Sequence, residues 1–160
     1  MNIVYLGLGS NLGDKKSCLN RAIMNINERI GRVISRSSFY DTTPWGFQSN
    51  NRFLNAVVKI ETKLTPEELL TITQQIEKES GRQKKSVSGI YSDRNIDIDI
   101  LFYNTLILKN EHLEIPHALI QERDFVLLPM VEIAPDFIHP VLHLTMRDLL
   151  QQLFTTHQLT

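Results

Sequence analysis

The amino-acid sequence predicts an α+β fold in which one antiparallel β-sheet carries helices on one face. Two observations support this prediction. Apolar stretches with the two-residue period of strands alternate with stretches that have the period of amphipathic helices. Clusters of turn-forming residues separate these stretches, and the sequence contains no repeat, low-complexity segment or linker. We therefore expect a single domain over residues 1–160.

The composition is typical of a soluble globular protein, with 42% hydrophobic and 22% charged residues. A formal net charge of -1 argues against a general nucleic-acid binder but leaves room for a local basic site. Cys18 is the single cysteine, which excludes a disulfide within the chain and favours the reducing cytoplasm. Neither a signal peptide nor an apolar stretch of about 20 residues is present, so we expect no membrane association.

The first half of the chain predicts three strands and one helix. The apolar run Ile3–Leu8 predicts a central strand that ends in a glycine-rich turn. Asp14 is placed to cap the helix that follows. Further strands are predicted over Arg32–Tyr40 and Phe53–Glu61, and the loop between them, 41–51, is rich in turn formers. Long loops of this kind in compact domains are often functional.

The second half predicts a helix, a strand with a partner, and two more helices. The first helix begins at the capping box T-P-E-E, residues 65–68, and ends at Gly81. The remaining predicted elements are a strand over Ile96–Tyr103, an apolar segment around 105–108 that pairs with it, and helices over Arg123–Ile133 and Thr145–Phe154. The order β-α-β-β-α-β is that of the ferredoxin-like fold. Such a fold has helices on one face of its sheet and leaves the other face open for a ligand under the long loops.

The predicted strand Ile96–Tyr103 contains two aspartates, Asp97 and Asp99, although aspartate is a poor strand former. Residues two apart in a strand point to the same face, with Cα atoms about 6.6 Å apart. Two carboxylates at this spacing suit a pair of divalent cations. Oxygen ligands favour Mg²⁺, which commonly binds together with substrate phosphates. The alternative is a solvated outer face of the sheet, because D-x-D is a short motif.

A basic loop lies beside this pair in the sequence. Residues 82–94 contain four positive charges, those of Arg82, Lys84, Lys85 and Arg94. Arginine side chains match phosphate oxygens well, and carboxylates with converging basic groups are what Mg-nucleotide chemistry requires. The alternative is a solvated charged loop.

Asn55 lies inside an apolar strand, and a buried amide needs partners for both its donor and its acceptor. A heterocycle with adjacent donor and acceptor groups would supply them, and backbone groups are the alternative. Trp45, Phe47, Phe53 and Phe125 are aromatic side chains that would form a slot for a flat ring, although each alone is more typical of a core.

Two other functions have weaker support in the sequence. The stretch G-L-G-S-N-L-G at 7–13 resembles the dinucleotide fingerprint G-x-G-x-x-G, but its spacing differs by one residue, which favours a structural turn between strand and helix. An RNA-binding module would need aromatic strands and a basic face. The strand I-D-I-D-I-L would instead repel a phosphate chain unless metal is present.

Together these motifs resemble the 6-hydroxymethyl-7,8-dihydropterin pyrophosphokinases of the folate pathway, and the resemblance runs over nearly the whole chain. The matching stretches are G-L-G-S-N-L-G-D at 7–14, S-S-F-Y at 37–40, F-L-N-A-V-V at 53–58, T-P-E-E-L-L and Q-x-I-E within 65–77, G-R at 81–82, D-R-N-I-D-I-D-I-L-F at 93–102, I-P-H at 115–117 and R-D-F-V-L-L-P at 123–129. In this context R-x-x-D-[LIV]-D-[LIVM] is a specific signature.

The resemblance implies the ferredoxin-like fold and a reaction that transfers pyrophosphate from ATP to the hydroxymethyl group of the pterin, with release of AMP. It also implies two Mg²⁺ ions and in-line attack at the β-phosphorus. The two substrates would be the only partners of a cytoplasmic monomer that binds neither nucleic acid nor membrane.

The resemblance also assigns roles to residues. Asp97 and Asp99 would be the metal ligands and, with Arg82 and Arg94, the catalytic residues. ATP contacts are implied for Gln74, Glu77, Lys84, Arg94, Ile100, His117 and Arg123. Pterin contacts are implied for Thr42, Thr43, Trp45, Phe53, Asn55 and Phe125. Without the resemblance, Gln74 and Glu77 lie off the apolar stripe of the predicted helix and indicate only a polar face.

Overall fold

The computed structural model of the protein describes residues 1–42, 52–81 and 95–158. Its elements are β1 (Asn2–Ser10), α1 (Lys15–Arg29), β2 (Gly31–Arg36), β3 (Tyr40–Thr42), β4 (Phe53–Thr62), α2 (Pro66–Glu79), β5 (Asp97–Tyr103), β6 (Leu108–Lys109), β7 (Glu114–Ile115), α3 (Asp124–Ile133) and α4 (Met146–Gln158). A 3₁₀ turn, Ile120–Glu122, precedes α3. Within these described ranges, no helix is both long and apolar enough to cross a bilayer.

The main sheet has the strand order β2-β4-β1-β5, with the short β3 paired to β4, and every pairing is antiparallel. Helices α1 and α2 pack on one face, where β1, β4 and β5 contribute alternate apolar residues to a core. This order and layering confirm the predicted α+β fold with ferredoxin-like connectivity.

Local capping chemistry explains where the helices begin. The Asp14 side chain accepts a hydrogen bond from Ser17 N at 3.2 Å, which satisfies a free donor at the start of α1. At the start of α2, Thr65 Oγ1 accepts from Glu68 N at 3.2 Å, and Glu68 Oε1 accepts from Thr65 N at 2.9 Å. Both predicted caps are therefore confirmed, including the complete capping box.

The sequence predicts that the second face of the sheet is open for a ligand. In the structure, part of this face is covered. A second core packs Tyr5, Val57 and Leu101 against buried apolar side chains of α3 and α4. These two helices cover one end of the face. The other end, where β1 finishes and β5 begins, carries the candidate site.

Two predicted strands are wrong in detail. The predicted strand Arg32–Tyr40 divides into β2 and β3, because Ser37 bonds to Val57 through both its main chain and its hydroxyl and so interrupts regular pairing. The segment around 105–108 does not pair with β5. The chain turns after Tyr103, with Asn104 at a φ of 48°, and β6 pairs with β7 instead.

The two C-terminal helices differ slightly from prediction. Helix α3 contains Pro129 and ends at Ile133, two residues before Pro135, and Arg123 is its N-cap rather than its first residue. Helix α4 follows Thr145, whose hydroxyl accepts from Asp148 N at 3.1 Å, and runs to Gln158 rather than to Phe154.

Candidate active site

Asp97 and Asp99 lie at the start of β5 and alternate with Ile98 and Ile100, which are buried in the core beneath α1 and α2. Both aspartates therefore face the opposite side of the sheet, as their spacing predicts. Their partners across the ladder on β1 are Gly9 for Asp97 and Gly7 for Asp99. Neither glycine has a side chain, so side chains from neighbouring positions approach the backbone of β1 closely beside the carboxylates.

Glu77 of α2 supports the strand that carries these aspartates. Its Oε2 accepts a hydrogen bond from Ile98 N at 2.8 Å, between the two aspartates in sequence. Glu77 is 8% exposed, so it belongs to the helix face that packs on β5 and not to the solvated polar face expected from its position. The bond satisfies a donor on the outer edge of β5, which is the last strand of the main sheet within the described part of the chain.

His117 and Arg123 extend the site from the side of Asp99. His117 Nε2 lies 3.8 Å from Asp99 Oδ1, and Arg123 Nη1 lies 3.1 Å from His117 Nδ1. Nδ1 also lies 3.1 Å from Ala118 O, and Nε2 is the ring nitrogen on the side of Asp99. A main-chain bond from His117 N to Leu101 O, at 3.0 Å, holds the segment against β5.

Asn55, Thr42 and Phe53 form a second part of the site on the other side of β1. Asn55 is 7% exposed, and its Nδ2 donates to Thr42 Oγ1 at 2.5 Å, which fixes the orientation of the amide. A Cβ added at Gly9 would lie 2.9 Å from Asn55 Oδ1 and 3.4 Å from Phe53 Cδ1. Gly9 therefore separates the aspartates from this polar and aromatic group, at a distance that no larger residue would allow.

The remaining predicted site residues occupy different positions. Ile100 points into the core, on the opposite face of β5 from Asp99. Gln74 is exposed on α2, one turn before Glu77. Phe125 is partly buried near the start of α3, with the Arg123 guanidinium 6.0 Å from its ring centre. Five predicted residues lie outside the described residues: Thr43, Trp45, Arg82, Lys84 and Arg94.

The donor chemistry of the aspartate pair fits Mg²⁺. Throughout residues 1–42, 52–81 and 95–158, no group of three or more His, Cys, Asp or Glu side chains is close enough to hold a metal ion by itself. Mg²⁺ does not require such a cage, since it commonly binds through one or two carboxylates and completes its shell with water and substrate phosphates. Asp97 and Asp99 supply two carboxylates, and the Asp99 side chain is 38% exposed.

Sequence reasoning missed the role of Gly7 and Gly9. The sequence predicts a turn in the glycine stretch after a strand that ends at Leu8, whereas β1 continues to Ser10 and both glycines lie within it. The turn is made by Gly13, which has a φ of 71°. The antiparallel pairing of β1 also excludes the parallel βαβ unit that a dinucleotide fingerprint requires. A glycine inside a strand often marks a place where another group approaches the backbone closely, so Gly7 and Gly9 were the available sequence signal.

Comparison with known proteins gives a consistent result. A family model described as 7,8-dihydro-6-hydroxymethylpterin-pyrophosphokinase (HPPK) matches residues 5–135. The 2-amino-4-hydroxy-6-hydroxymethyldihydropteridine pyrophosphokinase of Porphyromonas gingivalis is 49% identical over 141 residues, which cover 88% of this chain and 95% of the relative. The protein of the same name from Aquifex aeolicus is 41% identical over 141 residues, 88% of this chain and 86% of the relative.

The fold is shared with solved structures. In a crystal structure of an HPPK-DHPS protein in complex with substrates, the similar region has a TM-score of 0.77 at 15% identity. It covers 97% of this chain but 44% of the solved one, so the present chain spans less than half of that protein. The structural likeness supports the fold, and the family match and the close relatives support the activity. The chain therefore belongs to the 7,8-dihydro-6-hydroxymethylpterin-pyrophosphokinase family, which makes it a pyrophosphate-transferring enzyme of folate biosynthesis.

Proposed function

We propose that this enzyme transfers pyrophosphate from ATP to the hydroxymethyl group of 6-hydroxymethyl-7,8-dihydropterin and releases AMP. One observation carries the proposal. Asp97 and Asp99 lie opposite two glycines of β1, Gly9 and Gly7. On the other side of Gly9 lie the amide of Asn55 and the ring of Phe53. The proposed polyphosphate site and the proposed site for a flat polar ring would therefore be adjacent on one sheet.

On the nucleotide side, Asp97 and Asp99 would hold two Mg²⁺ ions. Bound there, the ions would neutralise charge on the phosphates and lower the pKa of the hydroxyl group that attacks. His117 and Arg123 lie on the Asp99 side, where their N–H groups are suited to phosphate oxygens. The proposed contacts nearer α2 are Gln74, Glu77 and the main chain at Ile100, and Lys84, outside the described residues, is a further proposed contact.

On the pterin side, the Asn55 amide is the principal recognition group. Because Thr42 accepts from Nδ2, the amide cannot rotate freely, and Oδ1 remains turned toward Gly9. A pterin edge with neighbouring donors and acceptors would satisfy this fixed pattern. Phe53 and Phe125 would contact the faces of the ring, and Thr43 and Trp45, which lie outside the described residues, are the other proposed contacts.

For the reaction itself, the chain would mainly position the two substrates for in-line attack of the hydroxymethyl oxygen on the β-phosphorus. Glu77 supports this role because its bond to Ile98 N fixes the segment between the two aspartates. Arg82 and Arg94 would stabilise the charge that develops on the phosphates. We also propose a cytoplasmic location and a monomeric state. The single cysteine, Cys18, is buried and forms no disulfide, which fits a reducing compartment.

The identity of the nucleotide product tests this proposal. The protein is incubated with ATP, Mg²⁺ and the hydroxymethyl-dihydropterin, and the nucleotides are separated by chromatography. We expect AMP in proportion to the pterin consumed. ADP in place of AMP would show transfer of a single phosphoryl group and would refute the proposal, as would the lack of any pterin-dependent product.

A further inference from the structure

Glu132, near the end of α3, joins this helix to the segment that leads into β3. Its Oε1 accepts from Ser38 N at 2.9 Å and from the Tyr40 hydroxyl at 2.7 Å, and its Oε2 accepts from the Ser38 hydroxyl at 2.8 Å. Three hydrogen bonds to one carboxylate bring together residues more than 90 positions apart in the sequence. Neither the family resemblance nor the proposed site includes Glu132.

The pKa of Glu132 is consistent with an ionised carboxylate that accepts three hydrogen bonds. Desolvation would raise the pKa of Glu132, but the hydrogen bonds from Tyr40 and Ser38, with the nearby charge of Arg36, outweigh it and lower the pKa. Burial, the hydrogen bond to Glu132 and its charge together raise the pKa of Tyr40 to about 12. At neutral pH the carboxylate is therefore ionised and the phenol is protonated, which is the arrangement that the three bonds require.

The strand held in this way is short and borders the candidate pterin site. β3 has three residues, and it pairs with β4 so that Tyr40 lies opposite Asn55 and Thr42 lies opposite Phe53. Thr42 is also the residue whose hydroxyl orients the Asn55 amide. A displacement of β3 would therefore move the Thr42 hydroxyl and change the direction of Asn55 Oδ1.

Helix α3 is a suitable anchor for β3. Val126, Leu127 and Met130 bury it in the second core, and its first turn is held where Arg123 meets His117. The Glu132 carboxylate thus connects a well-packed helix to a strand that, among the described residues, pairs with β4 alone.

We propose that Glu132 is a positioning residue for the pterin substrate: it holds Ser38 and Tyr40 so that Thr42 keeps the Asn55 amide in its binding orientation. The inference rests on the proposed function, since it assigns a role in recognition of the pterin and not of ATP. Among the described residues, those proposed to contact ATP lie on α2, β5 and the segment from His117 to Arg123, and none of them lies on β3.

The first test compares Glu132→Gln with a matched control. Glutamine keeps the shape of the side chain but loses the charge and one acceptor, so we expect the KM for the pterin to rise about tenfold. The KM for ATP should stay within about twofold, because no ATP contact is altered. Asp136→Asn is the control: it makes the same chemical change three residues beyond α3, where Asp136 accepts from Arg147 Nη1 at 2.8 Å, and should leave both KM values unchanged.

The second test asks whether Glu132 acts through Thr42. Thr42→Val removes the hydroxyl that orients Asn55 while keeping the shape of the side chain. If the inference holds, Glu132→Gln added to Thr42→Val raises the pterin KM by less than about twofold, because the step that Glu132 supports is already lost. Full additivity of the two effects would overturn it.

The outcomes separate the inference from the function on which it rests. A wild-type enzyme that releases no AMP would overturn both. A wild-type enzyme that releases AMP, with a Glu132→Gln variant whose pterin KM is unchanged or whose two KM values rise equally, would overturn the positioning role and leave the function intact. A rise confined to the pterin KM, absent from Asp136→Asn, would support it.

Discussion

Replacement of Gly9 by alanine should weaken pterin recognition with little effect on ATP. The new Cβ would lie 2.9 Å from Asn55 Oδ1, about 0.5 Å closer than the 3.4 Å at which ordinary contact begins. The amide cannot move away easily, since Asn55 is 7% exposed and its Nδ2 is bonded to Thr42. Overpacking of this kind costs roughly 1–3 kcal/mol of stability.

The effect of Gly9→Ala on catalysis depends on how the Asn55 side-chain amide responds to the new methyl group. If it rotates to accommodate the methyl group, at least one hydrogen bond to the pterin is lost or distorted, which corresponds to a loss of roughly tenfold to a hundredfold in kcat/KM for the pterin. The assay is steady-state release of AMP with one substrate varied at a time. Gly7→Ala is the matched comparison on the same strand, because its Cβ would meet the Leu101 side chain at an ordinary 3.4 Å.

For Gly7→Ala we expect the pterin KM to stay within about threefold of the wild-type value. The reasoning would be refuted if Gly9→Ala left kcat/KM for the pterin unchanged. Equal increases in the KM values for pterin and ATP would refute it as well, because the Cβ at Gly9 meets Asn55 and Phe53 rather than a proposed nucleotide contact.

Three further predictions concern the metal site, a buried histidine and a helix cap. Asp97→Asn and Asp99→Asn should each lower kcat by at least about a hundredfold with an unchanged melting temperature, and a variant with most of its activity would contradict the metal assignment. Burial, and then the charge of His143, lower the pKa of His139 below its ordinary value of 6.5, and its Nδ1 accepts from Val141 N and Leu142 N at 3.1 Å. Because the neutral imidazole is favoured in the folded state, its contribution to stability is complete above pH 6.5 and is lost as the pH falls below that value. The difference in unfolding free energy between wild type and a His139→Gln variant should therefore narrow from pH 7.5 to 5.5. A difference that stays constant in urea titrations would contradict this prediction. Thr65→Ala should cost about 1 kcal/mol of stability by removing the capping box of α2 and leave kcat unchanged, as urea unfolding and the AMP assay can show together.

Features with local causes could be predicted from the sequence. The cap at Thr65 depends on residues within one helical turn, and the shared face of Asp97 and Asp99 depends on the two-residue period of a strand. The connectivity follows from the order of such elements. For these reasons the fold class and the aspartate pair were predicted correctly, although the role of the pair as a metal site remains a prediction.

Features with distant causes could not be predicted. The break between β2 and β3 arises from bonds of Ser37 and Ser38 to Val57 and Glu132, which are 20 and 94 residues away. The need for glycine at position 9 comes from the Asn55 side chain on a neighbouring strand. The apolar faces of α3 and α4 predict helices but not which face of the sheet they cover, and the burial of Glu77 depends on a main-chain donor of β5.

The central claim is that the face of the sheet bearing Asp97 and Asp99 transfers an intact pyrophosphate group to the pterin. Mass spectrometry of the pterin product, for wild type and for Asp97→Asn at equal concentration with ATP and Mg²⁺, tests it most directly. We expect the wild-type product to carry two phosphoryl groups gained in one step, with one AMP for each, and the variant to form almost none. A product with a single phosphoryl group, or equal yields from both proteins, would contradict the account.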